Sequence, residues 1–302
     1  MRDDDFERGA ALYQRFVRGD ALIGLVADVP AMEAEMLAAL WAAATAGDAD
    51  AWALLGDSYL AALKPQGAFG GVDPDDADAR PWPTEVAEIV DDEPALAAAL
   101  RGYAQAARLG RRAAVTQFAR MARHSSADNQ RRAHALLVAL TDPSAAELYQ
   151  RGLVENWLGD VATSARTHHA AAERGDLDAQ FELSLCYAQG LGVDADAAQA
   201  AAWLRRAADG GHGRALYNLG AAYARGDHGA PDMAEAAAYY RRAAAAGNGR
   251  AAAMLGVMVL SGDLAGTAAD ARRWLDDADA AGFAAWELLA AVGLDDPRAD
   301  DD

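Results

Sequence analysis

A 36-residue period in the C-terminal half constrains the fold of this chain more than any other feature. Ala179, Leu183, Tyr187 and Gly190 recur 36 residues later as Ala215, Leu219, Tyr223 and Gly226, and a further 36 residues on as Ala251, Leu255, Val259 and Gly262. The rest of the unit repeats in step. Trp203, Ala207, Ala208 and Gly211 match Tyr239, Ala243, Ala244 and Gly247, and 35 residues later Trp274, Ala278, Asp279 and Gly282. A fixed period of this length marks an array of stacked units. Weaker copies lie upstream: Ala51, Leu55, Gly56 and Tyr59 repeat the first half, while Ala43-Ala44 with Gly47, Ala106-Ala107 with Gly110, and Ala171-Ala172 with Gly175 repeat the ending. The stretch from Gly47 to Gly110 fits one unit interrupted by an insertion over 65–94, and that from Gly110 to Gly175 fits two shorter units divided near 141–144.

Each unit reads as two antiparallel helices. Ala215, Leu219 and Tyr223 stand at i, i+4 and i+8, which gathers them into one apolar stripe. Trp203 and Ala207 make a facing stripe on the second helix, and small residues such as Gly220 let the two backbones approach. Alanine supplies 81 of the 302 residues, which favours helix and disfavours a sheet built of branched and aromatic strands. One helix pair cannot bury both faces, so neighbours must stack. The sequence therefore predicts an all-α fold: an α-α superhelical solenoid of about seven antiparallel helix pairs over 5–46, 48–110, 111–140, 143–174, 177–210, 213–246 and 249–281. A short helix over 283–292 would cap the open end, and 295–302 reads as a disordered acidic tail. One solenoid over 1–294 is the expected domain organisation, with a separate helical domain over 1–174 as the rival division.

The segment 211–247 resembles the Sel1-like repeat, a relative of the tetratricopeptide repeat. The residues that carry the resemblance are Ala215, Leu219-Gly220, Tyr223, Gly226, Asp232, Tyr239-Tyr240, Ala243-Ala244 and Gly247. It is specific over about 175–282 and looser upstream, with Ser184 in place of the Gly after Leu and Val259 in place of Tyr. The resemblance implies a non-enzymatic scaffold or adaptor that holds a peptide or protein in a groove lined by the first helix of each pair. It places Asp178, Phe181, Leu185 and Gln189 in that groove, followed by Arg214, Tyr217, Ala221 and Arg225, and then by Arg250 and Val257. Upstream it places Asp50, Ala53 and Asp57 there.

Charge narrows the partner. The net charge is −19, and residues 1–100 alone hold 20 acids and 6 bases. Nucleic acid is excluded as a partner, since phosphate neutralisation needs clustered Lys and Arg. Anionic membrane is disfavoured on the same ground. A basic protein partner remains open, and with it a second reading, an acidic antagonist such as a toxin-neutralising immunity protein or a chaperone. The insertion 65–94 offers the means, with Phe69 and Trp82 as anchors and Asp75, Asp76, Asp91 and Asp92 among its nine acids; a tolerated surface loop is the alternative. Arginine pairs such as 205–206 and 241–242 read either as a basic ridge or as a solvated face with local acid partners.

No catalytic or cofactor motif is present: there is no phosphate-binding loop, no dinucleotide turn and no nucleophile elbow. No enzyme activity, metal or cofactor is expected. Cys186 is the single cysteine, read as a small buried hydrophobe, and the start MRDDDFERG has acids where a secretory signal needs a basic and then an apolar stretch. A cytoplasmic location is expected.

Overall fold

The computed structural model describes residues 2–17, 29–61, 82–92, 94–227, 229–292 and 294. Among them every regular element is a helix. The chain divides into two compact units, 1–160 and 161–302. The first contains α1 (Arg2–Val17), α2 (Val29–Thr45), α3 (Ala49–Ala61), the single turn α4 (Thr84–Ala87), α5 (Pro94–Arg108), α6 (Arg112–Ala122), α7 (Ala127–Val138) and α8 (Ala145–Trp157). The second contains α9 (Val161–Glu173), α10 (Leu177–Gln189), α11 (Ala197–Asp209), α12 (Gly213–Arg225), α13 (Met233–Ala245), α14 (Gly249–Leu260), α15 (Ala268–Ala280) and α16 (Ala285–Val292). Within each unit successive helices pack as hairpins that stack on one another. The tightest pairs are α1 with α2, α3 with α5, α10 with α11, α12 with α13, and α14 with α15. Each unit is a run of stacked helix hairpins, and α1–α2, α3–α5, α6–α7, α10–α11, α12–α13 and α14–α15 have the boundaries that the period predicts; the pair expected over 143–174 is divided, with α8 in the first unit and α9 in the second.

The recurring Ala-Ala-x-x-Gly ending has a definite physical role. In the turn from α11 to α12, Gly211 sits at φ +92°. Its N–H donates to Ala208 O and the His212 N–H reaches back to Ala207 O. Gly247 and Asn248 bond to Ala244 O and Ala243 O in the same way. This is a Schellman motif, which satisfies the last carbonyls of one helix and needs the left-handed conformation that glycine supplies. The two alanines provide those carbonyls, and Ala207, Ala208 and Ala243 are wholly buried, so no larger side chain fits there. The residue after the glycine caps the next helix. Asp176 accepts from Ala179 N, His212 Nδ1 from Ala215 N and Asn248 from Ala251 N. One short turn thus ends one helix and starts the next.

The core of the second unit lies between the first and second helices of each hairpin. Ala215, Leu219, Ala236, Ala237, Tyr240, Ala243, Ala251, Leu255 and Met258 form one buried cluster there. Burial pushes the Tyr240 phenol up to about 12, so its ring is a neutral packing element at physiological pH. The aromatic pair divides its work differently from the alignment. Trp203 is buried, but Tyr239 and Trp274 at the matching positions are half-buried, and Tyr240 and Leu275 fill the core instead. Gly220 faces that filling: a Cβ built on it would stand 2.8 Å from Tyr240 ring carbons and 3.2 Å from Ala236 O. Gly256 meets Leu275 in the same relation, at 2.8 Å. In the preceding hairpin Ser184 takes the glycine's place, buried, with its hydroxyl donating to Phe181 O at 2.6 Å.

In the first unit the crossing of α3 and α5 is closer still. A Cβ on Gly102 would lie 2.9 Å from both Gly56 N and Trp52 O, which are backbone atoms without freedom to move aside. Between α6 and α8, Arg112 forks onto Glu147 at 2.6 Å through both Nε and Nη2. Glu147 also closes a capping box with Ser144. The hydrogen bond from Arg112, followed by those of Ser144, outweighs burial and holds the Glu147 carboxyl down to about 2.

The packing at Gly220 gives a test. Gly220→Leu drives a side chain into the Tyr240 ring and is expected to destabilise the second unit by about 1–3 kcal/mol, the usual cost of overpacking. The readout is the urea midpoint followed by circular dichroism. An unchanged midpoint would show that α12 and α13 do not cross at Gly220.

Candidate functional site

The candidate groove residues of the second unit lie on the first helices α10, α12 and α14, and most of them form one connected chain of contacts. Phe181 is buried and stacks on the His212 ring at 4.8 Å between centroids. His212 Nε2 lies 3.2 Å from Asp178 Oδ1 while its other ring nitrogen caps α12. The Arg214 guanidinium covers the outer face of Phe181 at 4.4 Å and pairs with Glu182 at 3.6 Å. Tyr217 packs on Tyr240 at 5.6 Å, which joins the surface to the core. The exposed Arg250 lies 5.8 Å from the Tyr217 ring and 5.6 Å from that of Phe283.

A rule repeats along this chain. The aromatic at the fifth residue of a first helix lies within cation–π distance of the arginine 33 positions later: Phe181 of Arg214, and Tyr217 of Arg250. The ring faces attract the cation. The first helices therefore carry Arg214 and Arg250 beside aromatic rings. Gln189 and Arg225 are exposed at the other ends of α10 and α12. Arg225 is tied to Asp227 at 2.6 Å, and that hydrogen bond raises its already high pKa. These two residues do not join the chain of ring contacts.

The upstream acids at the corresponding positions are engaged internally. Asp50 pairs with Arg111 at 2.8 Å, and Asp57 accepts from the Tyr103 hydroxyl at 2.6 Å. Burial pushes the Asp57 carboxyl up, against the lowering effect of that hydrogen bond.

Of the insertion residues, Phe69, Asp75 and Asp76 lie outside the described residues, as does the tail 295–302. Trp82 turns its ring into its own unit, 4.8 Å from Trp41, 5.7 Å from Trp52 and 6.3 Å from Tyr59. The Arg101 guanidinium lies over it at 5.6 Å and donates to Ile89 O at 2.9 Å. The two prolines that flank Trp82 gave no hint of this role. The other signal was available, a tryptophan on each of the two helices upstream. Asp91 accepts a hydrogen bond from the Ser125 hydroxyl, and Asp92 is exposed. Both line an open hollow of about 410 Å³ with Val90, His124, Ser125 and Ser126. A second hollow, of about 180 Å³, is lined by Val86, Ile89, Ala104, Arg108, Phe118, Arg132, Ala135 and Leu136. It is smaller than a usual small-molecule site.

The paired arginines of the second helices have local partners. Arg206 lies over Trp203 at 4.5 Å and 3.6 Å from Glu173, and Arg242 donates to Ala208 O at 3.0 Å. Arg205 donates to the Ala201 carbonyl. Burial, then the Glu182 charge, pushes the Cys186 thiol up, so it stays protonated and unreactive at neutral pH. Among the described residues no group of three His, Cys, Asp or Glu side chains is placed to hold a metal, and no helix is long and apolar enough to cross a membrane.

The Sel1 repeat model matches residues 177–212 and 213–248. The chain carries Sel1 repeats. These two Sel1 repeats are the hairpins α10–α11 and α12–α13, so they supply Asp178, Phe181, Arg214 and Tyr217, while Arg250 opens the next hairpin. A Sel1 repeat protein from Oxalobacter formigenes is similar in structure, with a TM-score of 0.53 and 24% identity over 82% of this chain and 94% of that one. The likeness is one of fold. A protective antigen of uropathogenic Escherichia coli strains that displays an SLR fold aligns with 94% of this chain at 20% identity and a TM-score of 0.45. This chain spans 56% of that protein's length. No curated protein matches the sequence.

The placement of Trp82 can be checked. Trp82→Ala empties the cage of Trp41, Trp52 and Tyr59 and is expected to destabilise the first unit by about 3 kcal/mol. Unfolding followed by tryptophan fluorescence reads it. An unchanged midpoint would return Trp82 to the surface as a candidate anchor.

Proposed function

We propose that this protein is a non-enzymatic interaction scaffold that binds a peptide or protein partner on the first-helix face of its second unit. The observation that carries the reading is the run of arginines over aromatic rings, Arg214 over Phe181 and Arg250 beside Tyr217 and Phe283. Arginine and tyrosine are over-represented among residues that dominate binding energy. Here they stand on rigid helices with their rings anchored in the core, so little order is lost on binding. Sel1 repeats typically serve as scaffolds for protein–protein interaction, which agrees with this reading. The cytoplasm is the proposed location.

Photo-crosslinking tests the face. A crosslinker at Ala221 on α12 is expected to capture a partner in the host cell that the same group at Arg205 on α11 does not. The double substitution Arg214→Ala with Tyr217→Ala should then weaken that partner's binding by roughly 2 kcal/mol, with helicity unchanged. Capture from Arg205 alone, or unchanged affinity in the double variant, would overturn the reading.

A further inference from the structure

One arginine of the face has no carboxylate partner among the described residues. Arg214 and Arg250 are repeat equivalents, 36 residues apart, and each lies over the aromatic of the preceding first helix. Arg214 has Glu182 as its carboxylate partner. The residue 36 positions after Glu182 is Asn218, half-buried on α12, so the place of that acid is taken by a neutral amide. Among the described residues no carboxylate pairs with Arg250. Glu182 pairs with Arg214 and Asp227 with Arg225, while Asp178 lies within hydrogen-bond distance of the His212 ring. The acids at corresponding positions upstream are engaged as well, Asp50 by Arg111 and Asp57 by Tyr103. Of the three arginines on this face, Arg250 is the one without a carboxylate partner among the described residues.

We infer that Arg250 is a receptor for a carboxylate, supplied by an acidic side chain of a peptide that crosses the first helices of the second unit. The inference rests on the proposed binding face and names the chemistry of its partner. A guanidinium within cation–π distance of the Tyr217 and Phe283 rings carries coplanar N–H donors that can bind a carboxylate through two parallel hydrogen bonds. In the preceding repeat the protein fills the corresponding place with its own glutamate. In this one the glutamate comes from the partner.

The test uses an array of synthetic peptides, amidated at the C-terminus and free of phosphate, so that only side-chain carboxylates carry negative charge. The full chain should select peptides enriched in Asp or Glu at one position. Replacing that residue by its amide should weaken binding about tenfold, as expected for a charge-assisted hydrogen bond. Arg250→Ala should abolish the preference. Asn218→Glu should abolish it too, by supplying the internal partner that Arg214 already has, with helicity and melting temperature retained. Glu182→Asn should add a second acidic preference by freeing Arg214. Selected peptides without acidic enrichment, or an enrichment that survives both Arg250→Ala and Asn218→Glu, would overturn the inference. If the array and the Ala221 crosslinker both capture nothing, the binding face itself fails. If the crosslinker captures a partner whose contact segment has no acid, the face stands and the role of Arg250 falls.

Discussion

The close crossing of two helices within each hairpin is the constraint on which the rest depends. At Gly220 the Tyr240 ring stands where a Cβ would be, and at Gly102 two backbones meet with no side chain between them. Such contacts require a small residue on one helix at the point where the other presents its bulk. They fix the pairing of helices and, through it, the orientation of every first helix toward its exposed side. Alanine follows from the same geometry, because Ala207, Ala208 and Ala243 are buried, and Ala244 half-buried, beneath the turn that leads into the next hairpin. The turn works only with glycine in the left-handed region and a polar residue after it, which is why the ending is the most persistent part of the repeat.

The period made much of the fold legible in the sequence. Ala215 and Leu219 alternate with exposed positions in a way that only a helix satisfies, and the glycine that ends each unit gave the hairpin boundaries to within a few residues. What the period could not give was the choice between adjacent aromatics. Tyr239 and Tyr240 are equivalent in a linear alignment, and only the rotation of α13 against α12 decides that Tyr240 enters the core. Trp82 was obscure for another reason. Its contacts are to Trp41, Trp52 and Tyr59, far away along the chain, and its proline neighbours suggest a loop residue left in water.

Charge shows how composition and surface diverge. A net charge of −19 points toward a basic partner. On the first-helix face, however, each acid has a near neighbour that neutralises or hydrogen-bonds it, and Arg214 and Arg250 lie within cation–π distance of aromatic rings. Long-range steering follows the total charge, but recognition at contact follows the local one. The sequence placed Arg214, Tyr217 and Arg250 on one side by their register. It did not show that each arginine caps the ring of the helix before it, because that relation spans 33 residues and depends on how one hairpin stacks on the next.

The central claim is that the first helices of the second unit form the binding surface while the second helices serve as its support. Hydrogen–deuterium exchange of the full chain, with and without its bound partner, tests it most directly. The account predicts slower exchange along α10, α12 and the start of α14 on binding, with α11, α13 and α15 unchanged. Protection confined to the second helices would contradict it.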